Sequence, residues 1–389
     1  MPNEPNRTSD PRAPVREIRT DGVPEPVADG VGLCLSGGGY RAMVFHVGVL
    51  WRLNDAGLLK SLDRISSVSG GSITAGVLGL HWRHLEFDGV GVASAATFDA
   101  HVTAPIRDLA GRTIDAKAIV GGVLFPGSVG EKVAGAYDKY LFNGATLQDL
   151  PETPRFVINS TNVQTGALWR FSRPYMADYR VGRVDRPSLP LALAVAASSA
   201  FPPVLSPLEV ELPAGAVRPT EGADLHRAPF TTNLVLTDGG VYDNLGLETV
   251  WKNFRTVLVS DAGGKMQPDP EPEHDWGRHA LRVLDLIDNQ VRSLRKRQVI
   301  ESFRTGERTG AYWGIRTNIA DYQLAHTLVC PFDRTTELAN MPTRLKRLEA
   351  DEQERLINWG YAVCDAALRK HVRPDLPVPP DFPYPARGV

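Results

Sequence analysis

Gly32-Leu33-Cys34-Leu35-Ser36-Gly37-Gly38-Gly39-Tyr40-Arg41-Ala42 is the stretch on which the reading of this chain turns. Gly32 to Leu35 predicts a short β-strand, and a helix is expected from about Ala42 to Asn54, so three consecutive glycines fill a strand-to-helix turn. Glycines let the backbone turn sharply and aim its N–H groups into the space beside a helix N-terminus, where negative charge is stabilised. Two ligands suit such a place, the phosphate of a nucleotide or the oxyanion of an acyl-transfer intermediate. A tight packing turn is the plainer alternative. No Lys-Ser or Lys-Thr pair follows, as a P-loop requires, and the glycines lack the G-x-G-x-x-G order of a dinucleotide site.

Outward from this loop the next motif is Ser67-Val68-Ser69-Gly70-Gly71-Ser72, between a predicted strand (Ile65 to Val68) and a predicted helix (about Ser72 to Trp82). A nucleophile elbow needs that context: a strand, a sharp turn carrying a strained Ser, then a helix. Its usual form is G-x-S-x-G, and Ser67 stands where the first Gly would be. The third motif is Asp238-Gly239-Gly240, after a predicted strand at Leu234 to Leu236, with glycines that keep the approach to the carboxylate open. In open α/β sheets, sites gather at strand ends. Alone, an Asp in a turn means little; in this order, the anion cradle, elbow Ser and strand-end Asp make up the parts list for acyl transfer.

Between and beyond the motifs, strands are expected at 156–160, 167–171 and 256–260, and an Ala-rich helix at 191–197. Two long helices are expected at about 279–303 and 343–371. Alternating strands and helices predict an α/β fold with a central, mostly parallel sheet flanked by helices. The domain reading is a disordered Pro-rich segment over 1–29, one catalytic domain over 30–372 and a Pro-rich surface tail over 373–389. Within the domain, the motif core runs from about 30 to 265 and a helical part from about 279 to 372.

The chain has 389 residues, with 43 Lys and Arg against 45 Asp and Glu, a net charge of −2. That balance argues against nucleic acid as a partner. Cys34, Cys330 and Cys364 are too sparse for a disulfide scaffold, lack metal-ligand spacing and fit a reducing compartment. The polar stretch Met1 to Gly30, with six prolines, has no secretory pattern, and the longest apolar run, Val31 to Trp51, is broken by glycines and Arg41. The expectation is a cytoplasmic protein, with a peripheral place on a membrane compatible with it.

With SGGGYRA at 36–42, SVSGGS at 67–72 and TDGG at 237–240, the chain resembles the patatin-like phospholipase family and its cytosolic phospholipase A2 relatives. The block Ala196 to Pro203 and the turn within Asn162 to Arg170 add to the likeness, which spans about residues 30 to 265. Ser36 stands where patatins usually have Asp, as in the phospholipase A2 branch. The resemblance implies a three-layer α/β fold and a lipid acyl hydrolase with a Ser–Asp dyad and no catalytic His. By motif, Ser69 would be the nucleophile and Asp238 its base. Gly37, Gly38 and Gly39 would supply the oxyanion hole, with Arg41 supporting the loop or the substrate. No metal and no cofactor is implied. The partner would be a lipid or phospholipid, with transient contact to a membrane surface.

Other readings compete. A Ser-His-Asp esterase would need a late histidine, of which His274 is the one to consider, and His46 reads as a hydrogen-bonded core residue. An inactive lipid-binding module, or transfer of the acyl group to an alcohol other than water, would use the same fold. Asp261, at the end of a predicted strand, is either a second site residue or a turn former. Leu284, Ile287, Val291 and Leu294 form an apolar stripe beside Arg292, Arg295, Lys296 and Arg297. This pattern fits a membrane-surface helix, but a core-packed helix with a solvated basic face is preferred.

Overall fold

The computed structural model describes residues 27–114 and 129–389. The segment read as disordered, 1–29, lies outside these as far as residue 26, while Ala28 and Asp29 already belong to the first strand. Part of the helical, loop-rich stretch expected around 100–148 also lies outside them.

Strand β1 (Ala28–Leu35) is followed by helix α1 (Gly39–Asp55), and β2 (Arg64–Val68) by α2 (Gly70–His81). These are the two strand–turn–helix units expected from the glycine motifs. A bent helical stretch follows, α3 (Ala95–Phe98) and α4 (Ala104–Ala110) joined through a π turn, and then α5 (Val129–Tyr137). Strand β3 (Arg155–Asn162) starts an antiparallel meander of β4 (Leu168–Phe171), β5 (Tyr175–Asp178) and β6 (Gly182–Asp185). Next come α6 (Leu191–Ser198), β7 (Leu208–Glu211), β8 (Asn233–Asp238), the short helices α7 (Gly240–Asp243) and α8 (Glu248–Trp251), and β9 (Phe254–Asp261). The chain continues through α9 (Trp276–Thr305), β10 (Thr309–Gly314), α10 (Phe332–Asn340) and α11 (Ala350–His371).

Five neighbouring strands, in the order β10-β9-β1-β2-β3, run parallel, as the alternation of strands and helices predicted. Both faces of this sheet are covered, and β1 shows how. Leu33 and Leu35 enter the main core, whereas Cys34 joins a smaller cluster with Val257, Val259 and Val299 on the opposite face. Successive strand residues point to opposite faces, so the run of apolar residues needs helices on both sides.

Helix α1 is almost wholly buried against α11. Gly48 and Gly360 permit the contact: a Cβ on Gly48 would strike the Ile357 carbonyl, and one on Gly360 the Phe45 carbonyl. Near this crossing Asp365 accepts from Arg52 at 2.9 Å and from Arg369 at 2.8 Å, with all three side chains buried.

One expectation changes. The helix expected over 343–371 begins only at Ala350, because the backbone of the preceding segment is bound elsewhere. Arg344 accepts from Tyr40 N–H, Leu345 from Ile114 N–H, and Leu348 donates to the Ala110 carbonyl. Glu349 then caps the helix in a reciprocal box with Glu352. The C-terminal tail lies on the surface but is anchored: Asn358 Nδ2 donates to the carbonyls of Tyr384 and Gly388, and Val389 packs into the main core. Among the described residues no helix is long and apolar enough to cross a membrane, and the three cysteines are free and buried.

Candidate active site

Ser69 follows β2 directly and precedes α2 with φ 53° and ψ −122°. A non-glycine residue held at positive φ is strained, and the surrounding contacts must enforce it. Gly70 packs on the backbone of Gly39, and a Cβ on Gly71 would lie 2.5 Å from the Leu35 carbonyl oxygen. The two strand-to-helix turns are thus in van der Waals contact. Ser67 fits where the elbow usually has Gly, because its hydroxyl donates to the Val157 carbonyl at 3.4 Å and accepts from Ser72 Oγ at 3.0 Å.

Asp238 ends β8 and is buried. Its strand arrives in a way the sequence did not suggest. Strand β2 pairs with β3 only as far as Val68 opposite Asn159, and β8, running antiparallel, takes the next places, with Asp238 opposite Ser160. Strand β3 thus carries the elbow strand and the Asp strand end to end along one edge. Gly239 lies against the Asn159 carbonyl, where no side chain would fit.

Oδ1 of Asp238 accepts from Gly240 N–H at 2.7 Å, whereas Oδ2 is buried without a hydrogen-bond partner of regular geometry. Burial raises the Asp238 pKa to about 7; the Gly240 N–H and the neighbouring Ser69 hydroxyl draw it down, and the charge of Asp288 on α9 pushes it up. The carboxylate is therefore poised close to neutral pH beside the Ser69 hydroxyl.

The glycine loop divides its N–H groups. Gly37 N–H donates to the Asn244 carbonyl at 3.1 Å. No hydrogen bond among the described residues takes the N–H of Gly38 or Gly39. Gly38 has φ 148° and Gly39 φ 62°, and a Cβ on either would meet backbone, Ala262 O at 2.7 Å or Arg344 O at 2.7 Å. Behind the loop His46 is fully buried, with Nε2 3.0 Å from the Ser36 carbonyl and Nδ1 3.0 Å from Ser260 Oγ. A carbonyl only accepts, so Nε2 carries the proton and Nδ1 receives the Ser260 hydroxyl. Burial lowers the pKa of His46 to about 4, keeping it a neutral brace, as its place in an apolar helix suggested.

Arg41 turns away from the cavity. Its guanidinium donates to the carbonyls of Met341 and Ala262 and to Thr343 Oγ1, tying α1 to two distant segments. Burial, followed by the charge of Arg316, lowers its pKa to about 10. The position is that of a loop support, not of a substrate contact.

Two residues that the motifs did not single out complete the frame. Ser198, at the end of α6, accepts from Ser69 N–H at 3.0 Å and donates to the Asn159 carbonyl at 2.6 Å. Asn244 reaches between the glycine loop and Gly240, its Oδ1 filling the space where a Gly37 or Gly240 side chain would sit. The Ser-Ser pair in the block Ala196 to Pro203 and the Asp-Asn after Asp-Gly-Gly were the available signals.

Ser69, Asp238 and the three glycines open into one cavity of about 510 Å³. One wall is apolar, with Phe201 to Leu205, Met266 and Leu345; the other is charged, with Arg282, Asp285, Asp288 and Arg292 of α9. No histidine lines it, His274 included. Asp261 lies outside it in an adjoining polar cavity. Burial acts to raise its pKa, but Arg292 and the Tyr312 hydroxyl, 2.6 Å from Oδ2, hold it below the usual carboxylate range.

Helix α9 sits the opposite way from the preferred reading. Only Val299 and Ser302 are buried, and Leu284, Ile287 and Leu294 are 56%, 51% and 58% exposed. The polar residues Arg282, Asp285, Asp288, Asn289 and Arg292 form the face that looks into the cavity. Three of the four basic residues reach the rest of the protein: Arg292 donates to the Gly264 carbonyl, Arg295 pairs with Glu248 at 3.0 Å, and Lys296 lies over the Tyr312 ring, while the exposed Arg297 donates to the Ser293 carbonyl of its own helix.

Comparison with known proteins sets this geometry in context. A structure of human GIVD cytosolic phospholipase A2 is 14% identical, with 88% of this chain and 61% of that chain covered and a TM-score of 0.46. A second, in complex with methyl gamma-linolenyl fluorophosphonate and terbium chloride, is 13% identical, with 88% and 58% covered and a TM-score of 0.49. VipD from Legionella pneumophila is 17% identical, with 89% and 67% covered and a TM-score of 0.35. The chain thus spans about three fifths of the length of the phospholipase A2 chains. No curated protein matches it. The family described as Patatin-like phospholipase matches residues 33–251, a stretch that holds the glycine loop, the elbow Ser and the Asp-Gly-Gly turn and exceeds half of the chain. The chain therefore belongs to the patatin-like phospholipase family.

Proposed function

We propose that this protein is a lipid acyl hydrolase in which Ser69 attacks a carboxylic ester and Asp238 takes its proton. The observation that carries the reading is the strained Ser69 beside a buried carboxylate whose pKa is about 7. A general base works best with a pKa near the operating pH, and its hydrogen bonds often tighten only when substrate binds. The tetrahedral oxyanion would be held by Gly38 and Gly39, whose N–H groups have no other described partner, while Gly37, bonded to Asn244, shapes the turn. Collapse of the intermediate expels the alcohol, which takes up the proton from Asp238. Water, deprotonated by Asp238, then attacks the acyl-enzyme; the Ser69 oxygen leaves and takes that proton back from Asp238, and the fatty acid is released.

The cavity supports a lipid substrate by its two walls: the Phe201 to Leu205 side suits an acyl chain and the α9 side a polar head group. The outward apolar stripe of α9 supports a lipid surface as the place of action, since it shares its helix with the cavity wall. Phe201 and Val204, lining the cavity and half exposed, continue the apolar surface at its edge.

The test is hydrolysis of p-nitrophenyl acyl esters and a mixed phospholipid panel by wild type and Ser69→Ala, together with labelling by a fluorophosphonate. Hydrolysis and labelling in the wild type, both lost in the variant, are expected. Labelling without hydrolysis would point to an acyl acceptor other than water, and neither would favour a binding role.

A further inference from the structure

At the end of α2 remote from Ser69, three histidines converge. His81 closes α2, His84 ends the 3-10 turn that continues it, and His101 lies in the π turn Asp99–Thr103 between α3 and α4. One ligand nitrogen from each lies within 4.8 Å of the others. The ring centroids are 5.8, 5.5 and 5.2 Å apart, and the rings of His84 and His101 stack at 19°. Among the described residues no carboxylate or thiol joins the group.

Two features of the trio call for a ligand. Nδ1 of His81 is buried without a hydrogen-bond partner, whereas buried ring nitrogens ordinarily have one. The π turn that carries His101 is a rare conformation concentrated at functional sites. Neutral imidazoles gathered in this way suit zinc-class dications; calcium and magnesium prefer oxygen ligands.

We infer that His81, His84 and His101 form a binding site for a zinc-class transition-metal dication, with water in the fourth position. Metal–nitrogen bonds of about 2.0–2.1 Å place tetrahedral ligands about 3.4 Å apart. The ligand nitrogens, within 4.8 Å of one another, therefore close in by up to about 1.4 Å, and the exposed His84 has room to move. The ion would tie the C-terminal end of α2 to the turn between α3 and α4. That is about 18 Å along the helix from Ser69, so the site is separate from the proposed hydrolysis and independent of it. In the sequence only the His81-x-x-His84 half is local, and the third ligand comes from the turn between α3 and α4.

The experiment uses the full chain, freed of metal by chelator, titrated with Zn²⁺ by calorimetry and with Co²⁺ by visible absorption. One ion per chain, tetrahedral cobalt bands and a Tm raised by Zn²⁺ are expected. His84→Gln and His101→Gln should each weaken zinc binding about tenfold or more and lose the cobalt bands. An unchanged Tm in chelator shows that the variants are folded, and the exposed His84 makes that outcome secure for the first. Zinc affinity unchanged in both folded variants, or no stoichiometric binding by the wild type, would overturn the assignment.

Discussion

Ser69 and Asp238 are brought together by consecutive residues of one strand. Asn159 of β3 pairs with Val68, the residue before Ser69, and Ser160 pairs with Asp238. The elbow and the carboxylate are held by the same backbone, so their separation depends on the register of β3 and not on a flexible loop. Ser198 adds a second link, accepting from Ser69 N–H and donating to the Asn159 carbonyl.

From this pairing, Ser69→Ala and Asp238→Asn should each lower ester hydrolysis by about 10³-fold or more, since nucleophile and base act as a unit. The double variant should be no worse than either single one. Additive losses, measured as kcat/KM on a soluble ester, would contradict the dyad.

The pH profile should show the same carboxylate. The proposed base works only when deprotonated, so kcat/KM should fall on the acid side of pH about 7. Asp288→Asn removes a like charge that raises this pKa and should move the limb to lower pH. The stability sign follows from the same shift. The folded pKa lies above the ordinary 3.8, so this group makes folding less favourable as pH rises from about 4 to about 7. Asp238→Asn should therefore raise Tm at pH 8 and leave it nearly unchanged at pH 4, as read by thermal scans.

Gly38→Ala tests the loop. At φ 148°, with the Ala262 carbonyl 2.7 Å from the added methyl group, the substitution should cost about 1–3 kcal/mol in urea unfolding. It should also depress kcat more than KM rises, because the N–H donors would be displaced from the developing oxyanion.

The stripe on α9 makes a separate forecast. Leu284→Ser, Ile287→Ser and Leu294→Ser together should reduce co-sedimentation with phospholipid vesicles. Turnover of a soluble ester and Tm should stay within error of wild type, because these side chains are exposed. Arg295→Gln should instead lower Tm, since it leaves the buried Glu248 with one fewer partner.

Asp365→Ala leaves Arg52 and Arg369 buried without their shared carboxylate. A loss of about 3–5 kcal/mol in denaturant unfolding is expected. A loss under about 1 kcal/mol would show that the pair is solvated in solution.

The turns and the residue types within them were legible from the residues alone. Glycines at 37–39, 70, 71, 239 and 240 stand where backbone or side-chain atoms leave no room for a Cβ, a constraint that shows as a run of small residues. The alternation of short apolar strands with helical stretches made the two-sided parallel sheet legible, and the motif order carried the family. The rest came from contacts between segments far apart in the chain. The antiparallel entry of β8 at Ser160, the outward stripe of α9, the coil at 341–349 and the convergence of His81, His84 and His101 all depend on partners distant in the chain. Helical periodicity shows that a helix has two faces, but which one meets protein is settled by what its neighbours leave uncovered.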